Sequence, residues 1–202
     1  LDVLVRIMAD DARRAAMVAD LVHPKWLLML VRPGLARDDV PLVLEFVGML
    51  LSTSPSLAQT WTRLGGFRVL ERTLPPHWDV PCVLPWMWTL LLGPHAPKSS
   101  LYHTFAHGTA VAHPQALRVI VQCMAHGMMA CRTAPAKRRA SLPHIPAPPP
   151  GLTALEDSVR LLVVHSHNED VRALLMLAPT LVAVLRATAV SYTHLTLPTT
   201  PY

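Results

Sequence analysis

Apolar side chains along most of the chain recur at spacings of three and four, the spacing that lines one face of a helix. The clearest stripe is Val43, Leu44, Val47, Leu50 and Leu51, wide enough to pack against neighbours on two sides. Proline and glycine cut the pattern into short pieces. Asp2 to Ala19 reads as one helix, and His23-Pro24 opens a second that runs to Val31 and stops at Pro33-Gly34. Asp38 and Asp39 stand where carboxylates accept from free amides at a helix start, with Pro41 where a missing amide costs little. Ser54 or Ser56 caps the next helix, whose Leu57, Trp61 and Leu64 lead to a turn at Gly65 and Gly66. Two more helices follow, Phe67 to Leu74, stopped by Pro75 and Pro76, and Val83 to Leu92, stopped by Gly93-Pro94. Pro85 either marks the first turn of that last helix or kinks it, and Trp86 and Trp88 near its start are expected to pack. Pro114 begins a clear helix through Met124 towards Met128, while Gly93 to Ser100 reads as a loop and Leu101 to Ala112 carries no firm signal.

The pattern also repeats. Asp39-Val40-Pro41-Leu42-Val43-Leu44, running on to Leu50-Leu51, returns forty residues later as Asp79-Val80-Pro81-Cys82-Val83-Leu84, running on to Leu90-Leu91. Seven of thirteen positions match without a gap. A period near 40 is the short end of the roughly 40–47 residues of armadillo and HEAT units. The expected fold is therefore all-α, an armadillo/HEAT-like α-solenoid of short helices. Its predicted divisions are helical repeats over 1–132, a disordered Pro-rich basic linker over 133–151, and a further helical repeat over 152–189. In that last part Leu155, Val159, Leu162 and Val163 share a face, Asn168-Glu169-Asp170 caps a helix to Leu177, and Pro179 opens another to Ala187.

Composition agrees with many short packed helices: half the chain is apolar, 15% is charged, and 20 prolines punctuate it. The chain opens at Leu1 without a methionine, as a fragment is expected to. No apolar run is long enough to span a bilayer without a proline break. Three cysteines, Cys82, Cys123 and Cys131, have no framework spacing, which favours reduced thiols and a cytoplasmic setting. The formal charge is +5. Between Asp79 and Glu156 there is no acidic residue, while Lys98, Arg118, Arg132, Lys137, Arg138 and Arg139 fall inside. Such a stretch suits an anionic surface, but without interleaved aromatics it does not point to nucleic acid.

The linker TAPAKRRASLPHIPAPPPG holds six prolines and a basic triplet, and Arg138-Arg139-Ala140-Ser141 within it has the form of a basophilic kinase site. Val190 to Thr199, VSYTHLTLPT, reads in order as one frame of a transposase-based sequencing adapter. Positions 190–202 are therefore expected to be a translated library scar and are left out of the fold.

Candidate chemistry is thin. His103 and His107 are four apart, yet the residues between them are Thr104, Phe105 and Ala106, not the glutamate of a helical zinc protease. Cys123, His126 and Cys131 lack the close Cys-x-x-Cys pairing of structural zinc. No Gly-x-Ser-x-Gly and no phosphate-cradling glycine loop is present. No catalytic, cofactor-binding or metal-binding residue is assigned, no cofactor is expected, and the chain reads as non-enzymatic.

The combination Leu64-Gly65-Gly66-Phe67-Arg68-Val69-Leu70, Leu74-Pro75-Pro76-His77 and Leu90-Leu91-Leu92-Gly93 resembles the large helical region of the WD-repeat and FYVE-domain members of the BEACH protein family. The segment Leu155 to Leu185, with its HSHNEDVRALL core, is similar to a later helix pair of that region. The resemblance spans Asp39 to Leu185, loosely across Leu101 to Gly151. It implies a large cytoplasmic scaffold of vesicle and endosomal trafficking and autophagy, peripheral to those membranes through domains this chain does not carry. Its implied part here is a helical platform for protein partners. The competing expectation is a membrane-surface module that uses the acid-free basic half and the linker.

Overall fold

A break at Asp11 sets the start of the fold. A computed structural model describes residues 1–93, 111–133 and 154–159 of the chain, and the described residues contain helices and turns with no strand. The single helix expected over Asp2 to Ala19 is two, α1 (Asp2–Asp10) and α2 (Ala12–Leu21). Asp11 lies between them in extended conformation, and its carboxylate accepts from the Arg13 amide at 2.8 Å. An aspartate that caps satisfies a free donor only by leaving the helix itself. This is why the apolar period alone ran the two together.

α3 (Pro24–Leu30) opens on its proline, with His23 Nδ1 accepting from the Lys25 amide at 3.3 Å, and Gly34 makes the following turn at φ +90°. A 3₁₀ turn, Arg37–Asp39, leads into α4 (Val40–Thr53). Neither expected aspartate caps α4: the position before it, Asp39, is already αR and makes no side-chain cap bond. The 3₁₀ turn occupies the place where an extended capping residue would stand. Ser54, not Ser56, caps α5 (Pro55–Arg63), accepting from the Leu57 amide at 3.3 Å.

Gly65 turns the chain at φ +81°, left-handed, and α6 (Gly66–Thr73) begins at once. A second 3₁₀ turn, Pro75–His77, and a loop through Cys82 precede α7 (Val83–Leu92). Pro85 sits in the first turn of α7, where its missing amide has no helical partner to lose. α8 (Ala116–Thr133) starts two residues after Pro114 and runs to Thr133, one residue into the span assigned to the linker. Residues 154–159 are helical, within the helix expected there. The rest of the linker, its serine motif, the helices expected over 165–189 and the tail over 190–202 lie outside the described residues.

α4 is the hub, packed against α1, α2, α5 and α7. Contacts continue from α7 to α8 and, through the Trp88 indole donating to Ser158 Oγ at 3.1 Å, to residues 154–159. A second row runs α3, α6, α8, and α5 lies against α3, α4 and α6. Within that second row, Thr73 Oγ1 donates to the Val31 carbonyl at 2.8 Å, a buried bond between α6 and the end of α3. Burial of Val43, Leu44, Val47, Leu50, Leu51, Val83, Leu84, Met87, Leu90 and Leu91 makes one core along α4 and α7. Each such side chain contributes about 1.5–3 kcal/mol on removal from water.

Three tryptophan rings press against glycines. A Cβ added at Gly66 would fall inside the Trp61 indole, one at Gly48 would come within 2.5 Å of Trp86, and one at Gly127 within 2.7 Å of Trp78. Each glycine lets a bulky ring approach the backbone of a helix. Trp61 is fully buried, and its Nε1–H has no acceptor among the described residues. That orphan costs roughly 1–3 kcal/mol, offset by the area the ring hides.

No single described helix is long and apolar enough to cross a membrane. α4 and α5 pass that test only together, but they meet at 116°, and α4 buries most of its apolar side chains in the core.

Candidate functional site

The residues weighed for metal chemistry are not brought together. Among the described residues no three His, Cys, Asp or Glu side chains lie close enough to hold an ion. Cys123 is buried within α8, and burial pushes its thiol up to about 12, so it stays protonated and unreactive. His126, three residues along the same helix, is exposed. Cys82 is half-buried before α7, and desolvation raises its pKa as well. His103 and His107 lie outside the described residues, as does the side chain of Cys131.

Among the described residues a half-open groove of about 760 Å³ lies between α6 and α8, with the last turn of α5 also in its lining. Its floor is apolar, with Phe67, Leu117 and Val121 buried beneath it. Leu64, 42% exposed, and half-buried Val69 offer the accessible apolar surface. Its rim is basic: Arg63, Arg68, Arg72 and Arg118 line it, against one carboxylate, Glu71. All four arginines are exposed.

Local sequence explains how this rim arises. Gly65 turns the chain so sharply that α6 starts beside the end of α5, bringing Arg63 near Arg68. Arg68 and Arg72 are four apart on α6, so they stand one above the other, about 6 Å along the axis. Arg118 comes from the first turn of α8, on the opposite wall. Gly65 and Phe67 at the start of α6, and Pro114 and Gln115 just before α8, also line the groove, so the positive ends of two helix dipoles border it.

Few of these charges are compensated. Arg63 donates to its neighbour Thr60 Oγ1 at 3.3 Å, but the guanidinium groups of Arg68, Arg72 and Arg118 form no ion pair or hydrogen bond among the described residues. Arg37 is the contrast: it grips Asp79 through two bonds of 2.7 Å, and that hydrogen bonding holds the Asp79 carboxyl below its usual range. Behind the floor, the His113 ring packs against Phe67 with centroids 5.8 Å apart, and burial lowers its pKa, so it adds no charge at neutral pH.

No groove residue was read from sequence as part of a site: Arg118 entered only through the acid-free stretch, and Leu64, Gly65, Phe67, Arg68, Val69 and Pro114 only as helix, turn or resemblance residues. The signal was present as Arg63, Arg68 and Arg72 at spacings of five and four beside Leu64 and Val69. It went unread because helix-exposed arginines are common and only the α6–α8 packing makes these converge. Comparison with known proteins returned no matching family model, no matching curated protein and no matching solved structure.

Proposed function

We propose that the chain is a non-enzymatic, armadillo/HEAT-like scaffold segment that binds protein partners through a helical groove. The observation that supports this reading best is the succession of helix contacts. One row runs α2, α4, α7 and residues 154–159, the other α3, α6 and α8, with a repeated buried pattern in α4 and α7. Elements that each touch the next member of their row, in two rows, are what stacked helical repeats produce, and such stacks offer extended concave surfaces. The outer side of α1 to α3 leaves Val3, Met17, Leu21, Trp26 and Met29 exposed, the kind of face a stacked neighbour covers. The sequence resemblance to the helical region of the BEACH family supplies the cellular setting: a cytoplasmic scaffold of vesicle and endosomal trafficking and autophagy.

Cross-linking of the tagged chain in cells, read by mass spectrometry, tests the reading. Recurrent links from a few defined trafficking proteins to residues 39–133 are expected. Links scattered over unrelated abundant proteins would overturn it. The exposed arginines favour one alternative, direct attachment to anionic membrane, and co-sedimentation with phosphatidylserine vesicles separates the two. Strong retention that fades between low and physiological salt would favour the membrane.

A further inference from the structure

On the scaffold reading, we propose that the groove between α6 and α8 is the docking site for an acidic amphipathic helix of a partner protein. Charge complementarity names the partner's chemistry. Four exposed arginines face one glutamate around the groove, and Arg68, Arg72 and Arg118 have no carboxylate partner among the described residues. Uncompensated guanidinium groups at a concave site recruit carboxylates and orient them by forked hydrogen bonds.

Shape narrows the partner further. A bilayer is flat on this scale and meets only the rim of a concavity, whereas a helix enters it. The one-turn offset of Arg68 and Arg72 matches carboxylates at i and i+4 on a partner helix. Arg118 takes an acidic residue on its other flank, and Arg63 one at the α5 end of the groove. The stripe between those flanks is apolar, because the surface waiting for it is Leu64 and Val69 over the buried Phe67 and Leu117. The free helix ends at Gly65 and Pro114 add positive potential at the same mouth. The partner segment is therefore a helix with glutamate or aspartate on both edges of a leucine-like stripe. It excludes a basic or neutral helix of the same shape.

Fluorescence anisotropy with the 202-residue chain tests this directly. The probe is a labelled peptide of about four helical turns built from Glu, Leu and Ala, with Glu at i and i+4 flanking a Leu stripe. Binding is expected, with loss of about tenfold or more in Arg68→Glu/Arg72→Glu and a clear loss in Arg118→Glu. Lys25→Glu/Arg32→Glu makes the same charge change on exposed residues away from the groove and should leave affinity nearly intact. Circular dichroism checks that every variant folds. No binding of the peptide, equal losses in both double variants, or equal binding of a Lys-for-Glu peptide would each overturn the assignment. Binding confined to phosphatidylserine vesicles would overturn it in favour of a membrane. The cross-linked cellular partners separate this failure from failure of the scaffold reading. If they persist in Arg68→Glu/Arg72→Glu, the scaffold stands and the groove assignment falls; if the wild-type chain has none, the scaffold reading itself fails.

Discussion

α4 and α7 carry the same pattern forty residues apart and lie against each other, yet they are built differently. Both bury the corresponding pairs Val43 and Val83, Leu44 and Leu84, Val47 and Met87, Leu50 and Leu90, Leu51 and Leu91. Their starts differ. Val40 is already helical in α4, whereas Val80 to Cys82 form a turn and α7 waits until Val83. Pro85, where α4 has Glu45, gives the reason. A helix begun at Val80 would carry Pro85 in its interior, without its amide and against a carbonyl, at about 3 kcal/mol. Begun at Val83, it holds the proline harmlessly. The interiors differ too, since Gly48 makes room for Trp86 whereas its counterpart Trp88 reaches out to Ser158. A repeated apolar stripe thus sets which face is hidden, and the individual exceptions set where each helix starts and whom it touches.

The equivalence of the two faces is broken most directly by truncation. Leu50→Ala and Leu90→Ala should each cost about 2–5 kcal/mol and by similar amounts, read from urea unfolding midpoints. A cost at only one of them would show that the copies do not share a buried register. The difference at the next position is sharpened by Gly48→Ala. The new methyl meets the Trp86 ring, and overpacking of about 1–3 kcal/mol outweighs the roughly 1 kcal/mol that alanine gains in helix propensity. A more stable variant would mean that the half-buried ring swings aside freely.

Ser158→Ala removes the acceptor of the Trp88 indole and should cost about 1 kcal/mol, with a change in tryptophan fluorescence. No change in either would detach residues 154–159 from α7. The smallest effect concerns the two aspartates that open the copies. Asp79 is paired with Arg37, which depresses its folded pKa, while Asp39 makes no side-chain cap bond. A depressed carboxylate stabilises the fold above its unfolded pKa and loses that contribution as pH falls through the lower folded value. Asp79→Asn should therefore be slightly less stable than wild type at neutral pH, with the gap closing below about pH 4.

Most of the helix content was legible, because it rests on local chemistry. The bounds of α7, a serine cap at Ser54 or Ser56, the Gly65 turn and the proline stops all follow from residues within one turn of the boundary. The misreadings arose where two local signals competed. Asp11 lies unmarked inside the helix expected over Asp2 to Ala19, but its carboxylate caps the next helix and breaks the first. Asp38 and Asp39 were read as caps, but a 3₁₀ turn consumed their backbone. The groove was less legible still, since Arg118 is separated from Arg68 by fifty residues and no periodicity relates them.

The sequence by itself determined most of the helices among the described residues, the buried face of each repeat copy and the absence of familiar catalytic motifs. All three depend on residue type and short spacing, which a one-dimensional chain displays in full. Only the tertiary structure decided the pairing of Trp61, Trp78 and Trp86 with Gly66, Gly127 and Gly48, the link from Arg37 to Asp79, and the convergence of four arginines on one groove. Those depend on which helices meet and at what offset, and that is fixed by how all the buried faces fill their common space at once.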